Sequence, residues 1–150
     1  MATTLQEDSN IKSGMVWSVF TGIYMFSIAL ILSSFLYSIL SVLAEAISLS
    51  VTNPGLVFAI PALVFGAGTW WKIVEQRDAS QYRHGVIVGV ATALLAGLVW
   101  ATVFVAVWGF EMLIVPMNAF LILLVLSIAA LVGGLASLPL MFARHRSNGI

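Results

Sequence analysis

The sequence predicts an all-α integral membrane protein, a bundle of four transmembrane helices with both termini on the cytoplasmic side. Three observations carry this. Hydrophobic residues make up 61 % of the 150 residues and charged residues 8 %, against roughly 25 % charged in soluble domains. The charges cluster, so that residues 13–44, 46–71, 84–110 and 112–143 contain no Asp, Glu, Lys or Arg. Each gap exceeds the ~20 residues that cross a ~30 Å hydrocarbon core as a helix. The six basic residues fall where a single topology puts all of them on one side of the membrane, and the positive-inside rule makes that side cytoplasmic.

This composition, with a mean hydropathy of +1.10, excludes a soluble enzyme, a nucleic-acid-binding domain and a disordered chain. Twelve charged side chains cannot cover the surface of a soluble fold of this size. The net charge of zero leaves no basic excess for phosphate backbones. With no cysteine, thiolate catalysis, iron–sulfur clusters and the common zinc sites are also excluded.

Taken in order, residues 1–14 are a short polar cytoplasmic segment, expected to fray. The first span lies near 15–43. Ala44-Glu45-Ala46 resembles a signal-peptide cleavage site, but the apolar run before it is far longer than the 7–15 residues of a signal core. It is therefore read as a retained span. Asn53-Pro54 opens the second span, near 54–72, with a capping residue and a proline suited to the first helical turn. The third lies near 85–108 and ends at Gly109. The fourth, near 116–142, opens at Pro116. Pro61 and Pro139 fall inside spans and are expected to kink them. Trp17, Trp70, Trp71 and Tyr82 are placed at the inner interface, and Tyr37 and Trp108 at the outer one. Residues 144–150 form a basic tail. The spans together make one transmembrane domain, 15–143, without internal repeat.

Helix faces supply the candidate contact residues. Gly85, Gly89, Ala93, Gly97 and Ala101 recur every fourth residue in the third span, so they share one face and form a flat groove for close helix approach. Gly97→Leu is expected to disrupt that contact. Ala59, Ala62, Gly66 and Thr69 form a shorter version in the second span, and Ser127, Ala130, Gly134 and Ser137 in the fourth. In the first span Ser27, Ser34, Ser38, Ser41 and Glu45 fall along one line at 100° per residue. This stripe reads either as a polar path with Glu45 at its mouth or as serines bonded to their own helix carbonyls. Lys72, Arg77, Arg83, Arg144 and Arg146 are candidates for anionic lipid headgroups.

No ionisable residue lies deep in a span, which argues against a proton-coupled pump. His84 and His145 flank inner helix ends, too shallow for a buried haem. Even with Glu75 and Asp78 nearby they do not amount to a metal site. No cofactor is expected. The membrane serines have no base in reach, so no catalytic residue is assigned. Tyr24 and Trp100 lie away from the interfaces and need acceptors. The sequence thus points to a non-catalytic structural, scaffolding or accessory subunit of a cellular complex or a viral envelope. It would act through helix contacts with the bilayer, a membrane-protein partner or further copies of itself. The alternative is a small oligomeric channel or carrier for a neutral or weakly bound solute, lined by the serine stripe with Thr92, Thr102 and Asn118.

Overall fold

The computed structural model describes residues 2–48, 50, 52–77 and 81–148. The elements are helices α1 (Ala2–Phe35), α2 (Tyr37–Ala46) and α3 (Pro54–Trp70), a π turn (Trp71–Glu75), and helices α4 (Tyr82–Trp108), α5 (Glu111–Ile114) and α6 (Pro116–Asn148). Among the described residues there is no strand. Four stretches are long and apolar enough to cross a membrane: Ile11–Phe35, Pro54–Glu75, Tyr82–Trp108 and Pro116–Ser147.

The boundaries differ from the expected ones in ways the backbone explains. Helix α1 begins at Ala2 rather than near residue 15, and the first apolar run is broken at Leu36, where α2 takes over. Asn53 holds the extended conformation of a cap residue before Pro54, yet its side chain makes no capping hydrogen bond. Pro61 and Pro139 lie inside α3 and α6, as expected, and both helices continue through them. Gly109 ends α4 at φ +82°, in the left-handed region that glycine enters without cost, while its N–H bonds to the Val105 carbonyl. Pro116 opens α6, and Asn118 Nδ2 reaches back 3.2 Å to the Met112 carbonyl to fasten the short α5 connection.

The long helices alternate in direction. Helix α1 packs along α3 and α4 along α6; α3 joins the two pairs through α4, whereas α1 makes little contact with α6. The start of α1, the end of α3, the start of α4 and the end of α6 therefore share one end, called here the basic end. Large apolar side chains point away from the assembly: Phe35 is 83 % exposed, and Val16, Leu98, Leu131 and Leu135 are also exposed. In water such a surface would drive association; hydrocarbon solvates it.

Candidate functional site

The most connected side chains lie at the basic end. Arg144 of α6 donates to Glu75 Oε2 at 2.8 Å, and the Trp70 indole N–H donates to Glu75 Oε1 at 3.0 Å. The Trp17 ring of α1 stacks on Trp70 with centroids 6.3 Å apart and planes 19° apart. The Arg144 guanidinium sits 5.5 Å from the Trp17 centroid, closing a circuit through three helical segments. Trp70 is fully buried, and the Arg144 and Glu75 side chains are only 17 % and 9 % exposed. The carboxylate thus takes two donors, one of them charged, and the guanidinium lies over a π face, contacts that favour both charges in a half-buried site.

The π turn makes this geometry possible. At 100° per residue, positions five apart point roughly 140° away from each other. Residues 71–75 instead close their hydrogen bonds over five residues, with the Gln76 N–H on the Trp71 carbonyl at 2.9 Å. Glu75 thereby returns to the Trp70 face. Gly14 leaves the space opposite; a Cβ there would meet the Trp71 ring at 3.0 Å and Glu75 Oε2 at 3.2 Å.

Of the basic residues expected to meet lipid headgroups, Arg144 also pairs with Glu75 and lies over Trp17, whereas Lys72, Arg77, Arg83 and Arg146 are exposed. Trp70 belongs to the core rather than to an interfacial belt, because its indole N–H has a buried acceptor. The two histidines serve different surroundings. His145 stacks under Tyr82 at 5.2 Å with Nδ1 on the Met141 carbonyl, while His84 Nδ1 is buried without a partner. Among the described residues no three His, Asp or Glu side chains converge; Asp78 lies outside them.

Between the helices, small residues set how closely the backbones approach. On α4, a Cβ at Gly89 would overlap the Gly133 carbonyl of α6, and one at Gly85 would overlap Met141. Gly97 is more forgiving, since its space is filled by the flexible end of Leu126. The tightest crossing is therefore Gly89 on Gly133, and Gly133 is not among the residues singled out from sequence. Ala59 and Ala62 are buried on α3, Gly66 lies against Met25 and Gly22 of α1, and Ala93 and Ala101 are half-buried. Gly22 is the corresponding close approach on α1, where a Cβ would meet the Leu63 carbonyl at 2.6 Å. The spacing Gly14, Ser18, Gly22 carries the signal for this face in the sequence, and the serine stripe drew attention away from it.

The serine stripe lies on the other side of the first apolar run. Ser27, Ser34, Ser38 and Glu45 are exposed and Ser41 half-buried. Ser27 donates to the Ile23 carbonyl, Ser34 to Leu30 and Ser41 to Ser38, at 2.9 to 3.1 Å. Ser34 also borders an open pocket at the end of α1 and the start of α3, with Ser33, Tyr37, Thr52 and Asn53.

Toward the opposite end the helices border a half-open apolar cavity of about 140 Å³, with a second of about 70 Å³ beyond it. Leu40, Phe58, Gly97, Trp100, Val125 and Leu126 wall both. The Phe58 and Trp100 rings meet between them, with centroids 4.4 Å apart. The polar side chains on the wall of the larger cavity are engaged. Ser33 donates to the Leu30 carbonyl and Trp100 Nε1 to the Phe58 carbonyl. Thr92 reaches the Val88 carbonyl and lies 2.9 Å from Thr69 Oγ1.

No protein-family model matches the chain, and neither the curated proteins nor the solved structures contain a match to it.

Proposed function

We propose that this chain is a four-helix integral membrane bundle with both termini in the cytoplasm or the viral interior, and that it serves without catalysis as a structural, scaffolding or accessory subunit. One observation carries the reading: the buried polar side chains, His84 Nδ1 excepted, are bonded inside the chain while large apolar side chains cover its outside. Thr69, Thr92, Trp70, Trp100, Ser137 and Glu75 all have partners within the fold. The surface is left to lipid and to other transmembrane helices, where association rests on shape. Helix packing that brings Trp17, Glu75, Tyr82 and Arg144 to one end supports the orientation, because the basic residues in and beside these segments then share one side.

The test is the native mass of the complex, extracted gently from its source membrane, with its subunits identified. A defined complex with other membrane proteins is expected; a lone monomer overturns the subunit role. Orientation has its own readout, since the chain contains no cysteine. Gln76→Cys is expected to resist a membrane-impermeant thiol reagent in intact cells, and Thr52→Cys to react. The reverse pattern overturns the assignment.

A second reading, a pore formed between copies, is favoured by one observation. The serine stripe is exposed, where a neighbouring copy can reach it. Under that reading Ser34→Leu with Ser38→Leu abolishes solute flux into liposomes while leaving the amount of folded protein unchanged.

A further inference from the structure

We propose that the cavity between the four long helices is a binding site for one hydrocarbon chain, held in the plane of Phe58 and Trp100. This goes beyond a subunit role but rests on the reading that the helices cross a bilayer. Cavity size, wall chemistry and shape agree on the ligand. An apolar cavity of about 140 Å³ is of the order that stays dry in proteins and takes up small hydrocarbons. Its walls offer no free donor, because Ser33, Thr92 and Trp100 are each bonded to carbonyls of the fold. A ligand that needed hydrogen bonds would leave water's partners behind and find none.

Shape narrows the class further. The larger cavity reaches from Met25 and the Gly89–Gly133 crossing, and the smaller one continues to Phe104 and Ile122. From residue 89 to residue 104, α4 rises about 22 Å. The two cavities therefore follow one another along the helix axes on either side of the Phe58–Trp100 ring pair, an arrangement that suits an extended chain better than a compact solute. Helices α1 and α6 have little contact with each other, while both contribute wall residues, such as Ile28 and Leu32 on one side and Val125 and Ala129 on the other. Entry is therefore expected on the α1–α6 side, from the surrounding acyl chains.

The same hydrocarbon chemistry can come from a membrane lipid or from a free apolar solute, and the experiment separates them. The full chain is placed in phosphatidylcholine nanodiscs whose acyl chains are plain or brominated, and bromobenzene is added to a further plain sample. The Trp100 contribution to fluorescence is the difference between the wild-type protein and Trp100→Phe. Brominated acyl chains are expected to quench it, and filling the cavity with Ala96→Leu and Ala129→Leu is expected to reduce the quenching at least twofold. Quenching by bromobenzene alone, again relieved by filling, overturns the chain as occupant and assigns the cavity to a compact apolar solute. Quenching that filling does not relieve, or none from either quencher, overturns the site. If the double variant loses its helical signal, Ala96→Val carries the comparison with a smaller expected reduction, and an unchanged signal there overturns the site. A chain that does not enter nanodiscs at all overturns the membrane reading instead.

Discussion

The two ends of the molecule are held together by different physics. At the basic end, three helical segments are tied by directional contacts: Arg144 on Glu75, Trp70 on Glu75, and Trp17 against both Trp70 and Arg144. Toward the opposite end the helices line an apolar cavity, with the Trp100 indole bonded to the Phe58 carbonyl beside it, and the first apolar run is broken at Leu36. Between these zones lies the Gly89–Gly133 crossing, where backbone meets backbone. The difference teaches where this fold has room to give. Directional bonds and backbone contacts fix one geometry, whereas a cavity wall of side chains has room to rearrange.

The sharpest way to break this contrast is to substitute two glycines of the same helix. Gly89→Leu is expected to abolish folded protein, measured as the monodisperse fraction after mild extraction, because the Gly133 carbonyl cannot move aside. Gly97→Leu is expected to leave a folded protein destabilised by about 1–3 kcal/mol, the usual range for overpacking against movable side chains. Equal losses at the two positions would remove the distinction between the zones. Next in size, Arg144→Gln or Glu75→Gln is expected to cost about 1.5–3 kcal/mol, as for hydrogen bonds to charged groups. Unfolding in mixed micelles reads this, and the double variant is expected to cost less than the sum of the two. Thr92→Val loses the contact to Thr69 but leaves the Thr69 hydroxyl on the Phe65 carbonyl at 2.6 Å; about 0.5–1.5 kcal/mol is expected. Smallest is Ser34→Ala, an exposed hydroxyl bonded to its own helix, expected within about 0.5 kcal/mol. A cost above 1 kcal/mol there would show that the stripe packs against something.

The helical class and the four membrane-length stretches were legible in the sequence, because continuous apolar runs between charge clusters leave no other regular structure. The face of α4 that meets α6 was legible as a four-residue period of small residues. Which of its positions is tightest was not, since that depends on what α6 places opposite: a backbone carbonyl at Gly89 and a flexible leucine at Gly97. The Glu75–Arg144 pair was hidden for two reasons. Its partners are 69 residues apart, and regular helical spacing turns Glu75 away from Trp70, so no periodicity search brings them together. The break at Leu36 carries no proline or glycine to announce it. The cavity was illegible in principle, since space left empty has no residue of its own.

The π turn at Trp71–Glu75 acts as a vernier on the helix that carries it. One residue too many in a single turn resets the angular phase of everything downstream, as an extra tooth advances a gear. Shortening that turn by one residue would preserve its helical character and its apolar length, yet swing the carboxylate away from both the indole and the guanidinium. A change that hydropathy scarcely registers would thus uncouple the end of α6 from the end of α3, so chain length in this turn is constrained more tightly than the identity of the residues that fill it.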